Sequence, residues 1–279
     1  MNKDPNFVNK RGETPLFKAK TAKEVELLVA RGADVNAVRQ GEHLVEMPPG
    51  IGTTPLFAAA NAEVQAALLA AGADPNAVDE CGRTALFHLP PDPAFARNLI
   101  RAGANVRWAD MSNDTPLHYA VVGDYPETVN LLLLAGADVN ARNLRGGTPL
   151  FYTHVESVAD LLLRSGADPN AQNEYGRTPL FCRDECFDPY PTEALARLFL
   201  AHGADVNARD HQGMRPLHLA PTDEMAVLLL DHGADPFATD NEDNLPSVPA
   251  AAEARAAHNR RRLLEVVSAR TNRTLRRAM

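Results

Sequence analysis

The sequence predicts an all-α solenoid of helix-loop-helix units with β-hairpin fingers. Three observations predict it. A Gly-Ala-Asp or Gly-Ala-Asn triplet recurs seven times, at Gly32, Gly72, Gly103, Gly136, Gly166, Gly203 and Gly233. A Thr-Pro-Leu-like triplet precedes each one, at Thr14, Thr54, Thr84, Thr115, Thr148 and Thr178, with Arg215 replacing Thr in the last. The glycines stand 40, 31, 33, 30, 37 and 30 residues apart. At that period chains stack small units instead of enlarging one core.

The unit at Asn113–Asn143 is the fullest and justifies each element. Thr115 suits a helix N-cap, because its hydroxyl can satisfy a free N–H of the first turn. Pro116 follows at the first helical position, where its missing N–H costs nothing. Leu117, Ala120 and Val121 give a short helix its apolar stripe, which Gly123-Asp124 ends. A second helix starts near Pro126, with Val129, Leu132 and Leu133 at i, i+3, i+4 spacing. Gly136 ends it in the left-handed conformation that glycine adopts most cheaply. Asp138-Val139-Asn140-Ala141 then extends, and Asn143 to Gly147 turns the chain back.

These residues resemble the ankyrin-repeat family. Thr115-Pro116-Leu117-His118-Tyr119-Ala120, Gly123, Leu131 to Leu134 and Gly136-Ala137-Asp138-Val139-Asn140-Ala141 follow its pattern, and the order recurs seven times between about Asp4 and Asp240. The resemblance implies L-shaped repeats in a curved array. Short inner helices and finger tips would form a concave face that binds another protein without catalysis. It also implies that the histidine of the first helix joins neighbouring repeats by hydrogen bonds. Only His118 and His218 keep that histidine; Phe17, Phe57, Phe87, Phe151 and Phe181 replace it, which predicts a more apolar seam. In four repeats the Thr-to-Gly interval (Arg-to-Gly in the last) is 18 residues against 21 in the fullest, which predicts a clipped inner helix or tighter turn.

The expected organisation is a single ankyrin-repeat domain over 1–279. Residues 1–10 form an N-terminal half-hairpin, 11–240 seven repeats, and 241–279 a degenerate capping repeat with a basic tail. Asp4 to Gly12 reads like Asp168 to Gly176, so the chain begins as though mid-repeat, either as a capped array or as part of a longer protein. Ser247 to about Ala257 reads as an inner helix, and Arg260 to Ala269 as an outer one.

Function is expected where the rhythm breaks, because stacking does not require those residues. Between repeats one and two the finger from Val38 to Ile51 is about ten residues longer than its siblings. It offers Arg39, His43, Leu44 and Met47 as partner contacts. Repeat six carries an insert over Cys182 to Pro191, in which Phe187 and Tyr190 stand among Asp184, Glu185 and Asp188, a mix suited to a basic or amphipathic segment. Arg107 and Trp108 replace the asparagine and alanine of most siblings, and both residue types are enriched at binding hot spots. Tyr119, Tyr152 and Tyr175 complete the candidate surface on inner helices or finger tips.

Composition narrows the classes. The net charge is −8, with eight arginines and two acids between Glu253 and Met279, so the rest of the chain carries −14. An acidic body disfavours phosphate backbones and favours a basic protein partner. Arginine-mediated nucleic-acid binding through the tail remains a weaker alternative. No stretch reaches transmembrane length, no signal-peptide core opens the chain, and three cysteines do not make a disulfide framework, so cytoplasmic residence is the plain expectation, with signal-less secretion open. Cys182 and Cys186 lack the second ligand pair of a zinc site. There is no phosphate loop, His-Glu-x-x-His or nucleophile elbow. Neither enzymatic activity, cofactor, metal, membrane nor small-molecule substrate is expected. The function expected is a protein-binding scaffold, acting as an inhibitor or immunity protein of a toxin or enzyme. The alternatives are a secreted effector that captures a host protein, and the repeat region of a larger enzyme.

Overall fold

The computed structural model describes residues 4–39, 52–90, 92–181 and 191–258. Two compact units divide the chain, Met1–Ala167 and Asp168–Met279.

In the first unit the outer helices are α1 (Ala22–Ala30), α2 (Ala62–Ala70), α3 (Pro93–Arg101), α5 (Pro126–Leu134) and α6 (Glu156–Arg164). Each packs on the next in that order. Among the described residues of this unit the inner element is a full α-helix only in the fullest repeat, as α4 (Pro116–Val122). Elsewhere it shrinks to one 3-10 turn, at Pro15–Lys18, Ala85–Phe87 and Pro149–Tyr152, or to the bare turn after Thr54. The shortened Thr-to-Gly interval is the cause: too few residues remain between proline and the next cap to close two α-turns. In the second unit α7 (Glu193–Ala201) and α8 (Asp223–Asp231) pack together, with a 3-10 turn at Pro216–Leu219. A helical stretch over 249–258 follows. It is held by Arg255, whose Nη1 donates to the carbonyls of Pro236 and Pro246, and by a Phe237–His258 ring contact.

The core is one leucine per inner turn against one apolar row per outer helix. Leu16, Leu56, Leu86, Leu117, Leu150, Leu180 and Leu217 are each at most 4% exposed. Val25, Val64, Leu68, Leu99, Val129, Leu132, Val158, Leu162, Leu195 and Leu229 meet them. Burial of each such side chain contributes about 1.5–3 kcal/mol. Every helix-ending glycine of the seven triplets has φ between 87° and 94°. A side chain there would be strained.

The fingers differ from the expected β-hairpins. No strand occurs among the described residues. Seven of the described fingers instead close on one Asx side chain each. Asn9, Asp79, Asp110, Asn143, Asn173, Asp210 and Asp240 each accept backbone N–H groups two and four residues on, at 2.7–3.1 Å. Such local bonds nucleate a turn without a partner strand. Adjacent tips share a single backbone bond, Met111 N–H to Cys81 O and Leu144 N–H to Ser112 O, which is too little for a ladder.

A second asparagine row ties finger to finger. Asn6, Asn36, Asn76 and Asn140 donate from Nδ2 to the carbonyls of Gly32, Gly72, Gly103 and Gly166. Asn170 and Asn207 do the same to Gly203 and Gly233 in the second unit. Oδ1 of Asn6, Asn36 and Asn76 accepts the N–H of Asp34, Asp74 and Asn105. Asn6 thus seats the first described finger on repeat one with the same bridge its siblings use.

Candidate functional site

The inner turns of the first unit carry a row of polar and aromatic side chains. In three repeats the residue four positions after the threonine reaches back nine residues to the Asx of its own finger, and in the first Lys18 reaches a neighbour of that Asx. Lys18 lies 3.4 Å from Glu13, which itself accepts from Asn9. His88 Nε2 lies 3.1 Å from Asp79 Oδ2. The Tyr119 hydroxyl donates to Asp110 Oδ2 at 3.2 Å. Asn143 Nδ2 donates to the Tyr152 hydroxyl at 2.7 Å. Each ring then meets the previous repeat: Phe57 with His88, Phe87 with Tyr119, and His118 with Tyr152, at centroid separations of 5.6, 5.2 and 5.8 Å. Tilted and edge-on contacts of this kind fix ring orientation.

Electrostatics keep the row neutral at its centre. Asp79, whose side chain is 3% exposed, receives two Arg83 guanidinium nitrogens on its Oδ2, at 3.0 and 3.1 Å. Burial raises its pKa, but the Arg83 backbone N–H, His88 and the Arg83 charge together hold it below the usual aspartate value. Burial pushes the His88 pKa down, against the opposing pull of Asp79. Burial also lowers His118, against the acidic charges of Asp114 and Asp110. His118 Nδ1 accepts the Thr115 backbone N–H at 3.1 Å, with Thr115 Oγ1 at 2.9 Å, and Nε2 faces the Gly147 carbonyl at 3.3 Å. This assigns the neutral Nε2–H tautomer, bridging repeats four and five. His218 repeats the pattern with Arg215 N–H and the Asn244 carbonyl.

The five repeats that carry phenylalanine have no such acceptor. Thr14, Thr54, Thr84, Thr148 and Thr178 are buried, and their Oγ1 atoms have no hydrogen-bond partner in the protein.

The residues singled out by sequence fall into three groups. Tyr119 and Tyr152 belong to the inner row. Arg39, Arg107 and Trp108 lie on fingers and bond neighbouring fingers. Arg39 pairs with Glu13 at 3.3 Å and donates to the Arg11 carbonyl. Arg107 Nε replaces the bridging asparagine and donates to Gly136 O at 2.7 Å. The half-buried Trp108 donates from Nε1 to Gly82 O at 2.7 Å. Tyr175, in the second unit, is 46% exposed beneath Arg177. His43, Leu44, Met47, Phe187 and Tyr190, with Cys182 and Cys186, lie outside the described residues, as does 259–279 with most of the basic tail. Sequence reading missed His88 and Asp79, although their nine-residue spacing matches Tyr119 and Asp110. It also missed Met111 and Leu144, which are 72% and 71% exposed at adjacent finger tips. Among the described residues no cluster of metal-ligating side chains forms, and no helix is long and apolar enough to cross a membrane.

Comparison with known proteins agrees with this architecture. A family model described as Ankyrin repeats (3 copies) matches residues 58–143 and again 150–240. The chain belongs to the ankyrin-repeat family. The solved ankyrin repeat domain of Bcl-3, described as a unique member of the IkappaB protein family, superposes with a TM-score of 0.62 at 26% identity, over 78% of this chain and 99% of that one. Curated relatives include protein fem-1 homolog C of Bos taurus, Mus musculus and Homo sapiens, each 40% identical over 50 residues. That match spans 18% of this chain and 8% of those proteins. Ankyrin repeats form protein–protein interaction scaffolds, and no catalytic family is indicated.

Proposed function

We propose that this chain binds a partner protein through the inner-turn row of its first unit, with the adjoining finger tips, and acts by covering a working surface of that partner. The observation that carries the reading is the row itself. His88, Tyr119 and Tyr152 are pre-set by bonds to their own fingers, so binding does not have to order them. Tyrosine provides large contact area at low entropic cost. The acidic body favours a basic partner, and an enzyme or toxin is the class of target that occlusion would silence. Arg107 and Trp108 contribute from the fingers while keeping their inter-finger bonds.

The test is capture from a lysate of the source organism, comparing the natural chain with Tyr119→Ala/Tyr152→Ala and with Trp108→Ala, all shown to be folded by circular dichroism. The double variant is expected to reduce recovery of the main captured protein about tenfold or more, the effect of removing hot-spot side chains. Equal recovery by all three would remove the inner row from the binding surface. Stoichiometric addition of the chain is then expected to suppress the captured protein's activity; unchanged activity would reject occlusion while leaving binding intact.

A further inference from the structure

Gln65 is out of place. Counting four residues past the N-cap of each outer helix other than α2 gives Val25, Ala96, Val129, Ala159, Ala196 and Ala226, all 0% exposed. In α2 that position is Gln65, 2% exposed, and its Oε1 has no hydrogen-bond partner in the protein. A buried amide oxygen left unpaired costs stability, and a small apolar residue serves the position in every described sibling.

Gln65 also lines a cleft of about 340 Å³ between the second and third repeats. The cleft exists because repeat two places Ala58-Ala59-Ala60 where repeat one has Lys18-Ala19-Lys20 and repeat three His88-Leu89-Pro90. Leu56, Phe57, Ala59, Ala60, Ala85, Leu89, Pro90 and Phe95 give it apolar walls; His88 and Asp92 supply the remaining polarity. No lysine or arginine lines it.

We propose that this cleft is the anchor pocket of the scaffold, and that it takes a tyrosine side chain of the partner, whose hydroxyl donates to Gln65 Oε1. Charge complementarity selects the occupant. The unpaired Gln65 oxygen calls for a donor, whereas Asp92 already accepts the Ala94 N–H as the N-cap of α3. Eight apolar lining residues make burial of a full cation costly, whereas a neutral hydroxyl with a partner is cheap. The phenol carries its donor at the end of the ring's long axis, so the ring packs between Phe57 and Phe95 while the hydroxyl reaches inward. Glutamine's terminal torsion is broad, so the amide turns toward the donor without leaving its rotamer. This inference rests on the scaffold reading and names the chemistry of its main contact.

The test is a titration of the full chain with p-cresol, toluene and propylguanidinium, followed by NMR at the Ala59 and Ala60 methyls and the Gln65 side-chain amide. Saturable shifts are expected with p-cresol, with toluene about fivefold weaker, the effect of one neutral hydrogen bond. In Gln65→Leu, p-cresol should fall to the level of toluene. Ala60→Phe, which fills the cleft from its rim and leaves Gln65 in place, should abolish the shifts. Toluene matching p-cresol on the natural chain, propylguanidinium acting at lower concentration than p-cresol, or no saturation by any probe would each overturn the proposal. Failure here leaves capture through Tyr119 and Tyr152 standing, so the two readings fail separately.

Discussion

Replacing a buried threonine by valine should have opposite effects in two repeats of this chain. Thr84 is 1% exposed, and its Oγ1 has no partner because Phe87 stands where a histidine would accept it. Thr115 is 7% exposed, and its Oγ1 lies 2.9 Å from His118 Nδ1. Valine has nearly the same shape and tolerates the extended backbone at both sites, with φ of −86° and −103°. An orphaned buried hydroxyl costs about 1–3 kcal/mol, and a satisfied neutral bond contributes about 1 kcal/mol. Thr84→Val is therefore expected to leave stability unchanged or raise it by about 1 kcal/mol. Thr115→Val is expected to lower it by about 1 kcal/mol. Urea unfolding followed by circular dichroism reads the difference as a shift in midpoint at constant slope. In a Phe87→His background Thr84 gains an acceptor, and Thr84→Val should then cost about 1 kcal/mol, a coupling that a double-mutant cycle isolates. Equal losses at the two positions, or no coupling with Phe87, would refute the claim that the phenylalanine seam strands its threonines.

Further outcomes follow from the same contacts. Arg107→Asn should stabilise the chain by about 1 kcal/mol in the same unfolding assay, because asparagine both donates to the glycine carbonyl and accepts the next N–H, while arginine only donates. Trp108→Phe keeps an aromatic ring but loses the bond to Gly82 O, at a cost of about 1 kcal/mol in the same assay. Acid should weaken the fold through His118. Its folded pKa lies below that of the unfolded chain, so its contribution is complete above about pH 6.5 and declines as pH falls through that value, because the unfolded state takes the proton first. The decline is at most about 1.4 kcal/mol per pH unit. His118→Phe, which copies the five sibling repeats, should flatten that part of the stability–pH curve.

Much of the fold was legible because repetition averages out local ambiguity. The triplets mark each helix end, and an interval of 18 residues leaves room for one inner turn. The fingers were expected as β-hairpins from an extended stretch and a turn, but single Asx side chains close them and no strand forms among the described residues. The site was legible only in part. Tyr119 and Tyr152 stand out as aromatics, but His88 is recognisable only by its spacing from Asp79. Arg107 and Trp108 drew notice as departures, yet their donors turn to neighbouring carbonyls 26 to 29 residues away.

By itself the sequence determined the repeat, its glycine helix ends and its leucine core, because these depend on local backbone preference and on periodic burial. Only the tertiary structure decided which polar groups find partners. Thr84 and Thr115 read alike along the chain, and so do helix positions filled by Gln65 and Ala96. What separates them is the residue packed across the seam, and packing brings that residue from another turn or repeat. Hydrogen-bond satisfaction is a property of three-dimensional neighbours, so the unpaired oxygen of Gln65 and the cleft beside it appear only after the repeats have stacked.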